Sequence, residues 1–350
     1  MKTACKRTLS VTITIMLIMA MAVCGTPAAS GSQVNTDKAE FVMKLNHDMK
    51  VGSPFDISSE HMKELIETRS NGRMKVDIYP AMQLGNNREM IEGAQMGTIE
   101  AILVPTAKFG GFDQRLNICD MPFLFPNEEV LWKMLEGEIG QRAKAGLPDI
   151  GLYGVQYWAE GFKILTGSKP FYSPDDIKGL KIRTMEAPLI MSQFKAWGAN
   201  PVPIDYAEVY NSLQQKVVDG QENPMVSIHD MKFYEVQSHM TFLDHAYLSY
   251  LLVFSKSWFD ALPKDIQDIV WEAGMETAQY HKGLMADTNA AYLKDIQDAG
   301  GTEFLYLKDE QKQPWIDAVQ PIYKEYRDII GGEILDLAIK EAARLKQESK

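Results

Sequence analysis

Two hydrophobic rhythms alternate along the first hundred residues after a polar spacer. Phe41 to Leu45 is a short apolar run that predicts a buried strand. Pro54 then opens a predicted helix, with Ile57, His61, Leu65 and Thr68 at helical spacing and a stop at Ser70-Asn71-Gly72. Met74 to Tyr79 alternates as a second strand and ends at Pro80. A helix follows from Asn87 to Met96, closed by Gly97, and Ile99 to Val104 is a third strand stopped by Pro105. Strand, helix, strand, helix, strand predicts a mostly parallel sheet with helices on its faces. The pattern resumes with a strand at Ile182–Thr184, a helix at Leu189–Trp197, a strand at Asn200–Val202 and a helix at Tyr206–Gln214, with Asp205 as its N-cap. Helix-forming sequence then runs from Pro263 to about Ala299 and again from Asp309 onward. No internal repeat or low-complexity linker separates the two α/β regions, so two lobes crossed by more than one chain segment are expected. In such folds ligands sit in the crevice at the carboxyl ends of the strands.

Length and charge narrow this picture. At 350 residues the chain exceeds one ordinary core. Its 45% hydrophobic and 24% charged residues are those of a globular protein. A net charge of −11 argues against a nucleic-acid partner, which needs a basic face. It does not forbid an anionic ligand, because one or two cations in a cleft outweigh distant, screened carboxylates.

The start of the chain reads as a leader. Lys2, Lys6 and Arg7 precede an uncharged, mostly apolar run from Leu9 to Val23, followed by small residues through Ser30. That is the three-part pattern of a secretory signal, with cleavage expected near Ala29 and export to the periplasm. The run is short for a membrane span, which needs ~20 residues. Lipidation at Cys24 is the alternative, disfavoured by the bulky Val23 before it. Removal of the leader takes Cys5 and Cys24 with it, leaves Cys119 alone and precludes an internal disulfide. Cys119 then reads as a small buried apolar residue.

The stretch from Tyr157 to Asn223 carries the candidate chemistry. Asp176-Ile177-Lys178-Gly179-Leu180-Lys181-Ile182-Arg183 is a loop, a glycine turn and a strand, with Arg183 at the strand's end. A guanidinium offers a planar fork that grips a carboxylate with two parallel hydrogen bonds and stays charged when desolvated. Position alone would favour a surface salt bridge over a ligand contact. Downstream, Asp219-Gly220-Gln221-Glu222-Asn223-Pro224 combines a turn with a polar run, and Asn223 before proline is biased to an extended backbone.

These segments resemble the solute-binding subunits of TRAP (tripartite ATP-independent periplasmic) transporters, the DctP-like family that includes C4-dicarboxylate and sialic-acid binders. The resemblance rests on Ser70-Asn71-Gly72-Arg73, Tyr79-Pro80, Gln83-Leu84-Gly85 and Met121-Pro122-Phe123-Leu124-Phe125. It continues through Gly179-Leu180-Lys181-Ile182-Arg183, Gly198-Ala199-Asn200-Pro201, Glu208-Val209-Tyr210, Val218-Asp219-Gly220-Gln221-Glu222-Asn223-Pro224 and Phe233-Tyr234-Glu235-Val236-Gln237. It implies a two-lobed α/β fold with long C-terminal helices crossing between the lobes. The expected division is 1–29 leader, 30–160 mainly lobe one, 161–255 mainly lobe two and 256–350 helical. It also implies that Arg183 clamps the ligand's carboxylate, that Asn223 donates to the same group, and that Tyr206 closes over it.

The chain departs from the family in three places. Gly161-Phe162-Lys163 has lysine where a second arginine is common, so Lys163 should make one contact or none with the ligand. Lys216 replaces a small residue before the turn, and Pro105 stands where sialic-acid binders carry glutamate, so sialic acid is not expected. Asn46, His47 and Trp158 are further cleft candidates.

Catalytic signals are missing. There is no Gly-x-Ser-x-Gly elbow, no phosphate-binding glycine loop and no His-Glu-x-x-His, and His229, His239 and His245 do not match zinc spacing. The expectation is a non-enzymatic binding protein without cofactor or metal. Its partners would be a small carboxylate and the two TRAP membrane subunits. Service to an ATP-driven transporter or a sensor kinase is the alternative.

Overall fold

The computed structural model describes residues 34–348; the leader, with Cys5 and Cys24, lies outside them. Among the described residues nine strands form one sheet: β1 (Phe41–His47), β2 (Met74–Tyr79), β3 (Ala101–Pro105), β4 (Leu152–Gly167), β5 (Lys181–Thr184), β6 (Asn200–Pro203), β7 (Gly220–Asn223), β8 (His239–Ser255) and β9 (Glu303–Tyr306). Their order is β2-β1-β3-β8-β4-β7-β5-β6, with β9 beside β8. The expected parallel pairings are present as β2-β1-β3 and as β5-β6, and β7, read in the sequence as a turn and polar run, adds a third parallel strand beside β5. The two sets are joined through the long antiparallel pair β8 and β4, which the sequence reading did not single out.

Local chemistry explains the helices. α1 (Pro54–Arg69) starts on proline, with the Ser53 hydroxyl accepting from the Asp56 amide. Its buried face is Phe55, Ser58, Ser59, Met62 and Ile66, not the expected Ile57 row; Ile57 is 43% exposed. The serines belong inside because Ser58 pairs with His281 Nδ1 at 2.9 Å and Ser59 bonds back to the Phe55 carbonyl. α2 (Asn87–Met96) has the expected bounds: Asn86 and Glu89 form a capping box, and Gly97 closes it at φ 75°, a left-handed conformation that glycine adopts freely. Beyond α3 (Pro188–Ala196), the helix expected over 206–214 divides into a 3₁₀ turn at Tyr206–Glu208 and α4 (Val209–Gln214). The Asp205 side chain makes no capping bond there.

α5 (Met225–Asp230) precedes the 36-residue α6 (Lys264–Ala299), α7 (Asp309–Ile330) and α8 (Gly332–Glu348). α6 packs on α1 beside the first parallel set and on α5 beside the second, with β4 between. α7 packs on α3 and α8. No helix among the described residues is long and apolar enough to cross a membrane. Cys119 is a buried free thiol, and burial raises its pKa far above the usual range.

Candidate ligand-binding site

Parallel strands leave their carboxyl ends on one side, and there residues at or just past the ends of β1, β3, β5, β6 and β7 line a small cavity. Arg183, Asn223 and Tyr206 all line it. β5 lies between β6 and β7 and brings Arg183 level with Val202 and Gln221. The guanidinium is 1% exposed, and its Nε and Nη2 both donate to the Ile204 carbonyl, at 2.9 and 2.7 Å. Two of its five N–H groups are therefore committed and the fork is held in one orientation. Among the described residues no carboxylate lies within ion-pair distance of it. Burial lowers its pKa to about 10, so it remains a cation at neutral pH with its charge uncompensated. Asn223 ends β7, and its amide donates to Gln221 Oε1 at 2.5 Å.

Tyr206 is the outer member of a relay. Its hydroxyl donates to Ser227 Oγ at 3.1 Å, and Ser227 donates to Glu160 Oε1. Glu160 is fully buried with Oε2 unpartnered, and burial raises its pKa to about 8. The folded protein then keeps a proton that the unfolded chain releases near the ordinary glutamate value. Stability from this group is complete below about pH 4.5 and is lost as pH rises through about 8. Glu160→Gln should flatten that fall, read as unfolding temperature against pH; an unchanged slope would mean Glu160 does not hold the proton.

The remaining sequence candidates lie elsewhere. Lys163 is 1% exposed, and its Nζ sits 3.3 Å from both Asp120 Oδ1 and Glu222 Oε1. Burial disfavours its ammonium, but the two carboxylates outweigh burial and hold its pKa above the ordinary lysine value. Asn46 is buried in β1 with neither amide atom partnered. His47 Nε2 lies 3.5 Å from Asp56 Oδ1, at ion-pair rather than hydrogen-bond distance. Trp158 is in the core of β4, its ring 4.6 Å from His281 and 6.4 Å from Phe55. None of these four lines the cavity.

Residues that the sequence reading passed over complete the wall. Asp48 follows His47, and its two oxygens accept from Asn87 Nδ2 at 2.9 Å and Tyr250 Oη at 3.0 Å. Burial raises the Asp48 pKa against those donors. Lys108, in the loop after β3, brings a second cation. Asp48 and Lys108 stand one and three residues past a parallel strand's end, and Asn87 opens the helix after β2, which is the signal that could have found them. A larger and more open groove lined by Phe162, Ile164, Phe242 and Leu293 holds Glu128 and Asp244 but no cation, so it does not suit an anion.

A cavity at the strand ends of a two-part sheet, holding an uncompensated buried arginine, defines a solute-binding protein for anions. The chain belongs to the bacterial extracellular solute-binding protein family 7, DctP, which matches residues 45–328. It is 34% identical over 302 residues to the C4-dicarboxylate-binding periplasmic protein DctP of Rhodobacter capsulatus, covering 86% of this chain and 90% of that one. A TRAP periplasmic solute-binding protein of Shewanella oneidensis with bound succinate superposes with a TM-score of 0.83 at 29% identity, covering 86% of this chain and 99% of its own. The sugar acid binding protein DctPAm of Advenella mimigardefordensis, in complex with galactonate, gives 0.83 at 31% identity over 87% and 98%. The chain is thus a TRAP-type solute-binding protein, and an ATP-driven transporter or a sensor kinase is not favoured as its partner.

Proposed function

We propose that this protein is exported by cleavage of its leader near Ala29, binds a small organic acid in the periplasm through Arg183, and delivers it unchanged to the two membrane subunits of a TRAP transporter. The observation that carries this reading is the buried Arg183 cation without a counter-ion at the carboxyl ends of β5 and β7. An uncompensated buried charge is costly, so a structure that keeps one implies a ligand that neutralises it. The ligands bound in the two similar structures, succinate and galactonate, are both carboxylates. Asn223 would add a donor to the same carboxylate, and Tyr206 would cover it.

The lobes correspond in this reading to residues 30–160 and 161–255, with 256–350 bracing both. An open form admits the acid, and closure buries the ion pair where a lower dielectric strengthens it. Closure follows only from the acid's extra affinity for the closed state.

A thermal-shift screen of organic acids on the leaderless protein tests the proposal. A matching acid at 100 times its dissociation constant adds about 2.7 kcal/mol of stability. Stabilisation by neutral or cationic solutes but by no carboxylate would overturn it, as would recovery of the acid in altered form.

A further inference from the structure

The cavity lining combines two cations with a group of buried acceptors. Arg183 and Lys108 are the cations, and neither has an ion pair among the described residues. Both line the same small cavity, and the Lys108 pKa is lowered by burial first and by Arg183 next. Asp205, Asp48 and Glu186 partly offset this; Asp48 lines the cavity, while Asp205 and Glu186 are exposed and outside its lining.

The lining also offers acceptors. Asp48 is 5% exposed, and each of its oxygens has one donor and so retains a lone pair for another. Asn87 is 6% exposed; with its Nδ2 committed to Asp48, its Oδ1 is left buried without a partner. A buried acceptor without a donor costs free energy until a ligand supplies one. The group that satisfies these acceptors is a hydroxyl, not a second carboxylate. A carboxylate there would meet Asp48 as a like charge and would leave Asn87 Oδ1 unpaired.

We infer that the natural ligand is a hydroxymonocarboxylate of the aldonate type, its single carboxylate held by Arg183 and Lys108 and its hydroxyls donating to Asp48 and Asn87. Two cations and one carboxylate face the cavity, so a monoanion brings the formal charge to zero and a dianion overshoots. The inference rests on the proposed role of Arg183 and adds the class of acid.

Titration calorimetry of the leaderless protein with galactonate, gluconate and glycerate against succinate and fumarate tests it. At least one hydroxy acid should bind roughly tenfold or more tightly than either dicarboxylate, because a site built to pair hydroxyls rejects ligands that lack them. Asp48→Asn should narrow that ratio by roughly tenfold, since it removes the repulsion of a second carboxylate and weakens the hydroxyl acceptor. A dicarboxylate that binds wild type as well as or better than every hydroxy acid overturns the inference, whether or not Asp48→Asn folds. The Arg183 reading fails separately, if Arg183→Met keeps wild-type affinity for whichever acid binds.

Discussion

Arg183→Met is expected to weaken binding of the acid by roughly 30-fold to several-thousand-fold, the range for removing one partner of a buried charge pair. Without ligand, the same variant should unfold at an unchanged or higher temperature. Two effects oppose each other in the free protein. The Ile204 carbonyl loses both its guanidinium donors, which costs about 1–3 kcal/mol. A buried cation without a counter-ion disappears, and the effective penalty for burying one is several kcal/mol. The second term is the larger, so affinity and free-state stability move apart. Arg183→Lys should recover only part of the affinity, because an ammonium cannot hold the Ile204 carbonyl and still offer a fork. Calorimetry and ligand-free melting of the two variants check this. A methionine variant with wild-type affinity, or one that melts far below wild type while binding normally, would make Arg183 a structural residue.

The place of Arg183 was legible because strand direction can be read from sequence, whereas Asn223 and Tyr206 came from the family resemblance. Strands in a βαβ series are parallel and share one end, and the structure brings Arg183 in β5, Tyr206 just past β6 and Asn223 at the end of β7 to one cavity. α2 was legible to the residue because its caps are local chemistry. β4 and β8 were not. Both are buried on both faces along most of their lengths and show no alternation, and register shifts between Gly154 and Gln156, Ala159 and Gly161, and Phe162 and Ile164 break whatever period remained. The apolar stripe of α1 was misplaced because serines fill its inner face, where His281 from a distant helix supplies their partner. The acceptors escaped for a related reason: Asp48 and Asn87 acquire meaning only through each other, 39 residues apart.

Lys163 shows how a motif position can keep its charge and change its task. Lys163→Met is expected to lower stability by about 3–5 kcal/mol, because it strands two carboxylates in the interior. For a chain of this size that is a fall of roughly 5–10 °C in melting temperature. Glu222 also pairs with His245 Nε2 at 2.6 Å, while Asp120 accepts from Thr106. Burial alone would raise the Glu222 pKa, but Lys163 and His245 reverse this and bring it down to about 2. A carboxylate depressed in the folded state adds stability that is present above its unfolded value near 4.5 and is lost as pH falls towards 2. The gap between wild type and Lys163→Met should therefore be widest at neutral pH and should narrow in acid. Adding Glu222→Gln and Asp120→Asn to the methionine variant should restore much of the loss, since neutralising a whole buried cluster costs far less than breaking it. Because Glu222 immediately precedes Asn223, the ion pair anchors the end of β7, and any effect of Lys163 on the acid is expected to pass through that strand. Were Lys163 instead a contact to the acid, the methionine variant would melt with wild type and lose affinity directly, and the pH dependence of the two melting curves would coincide.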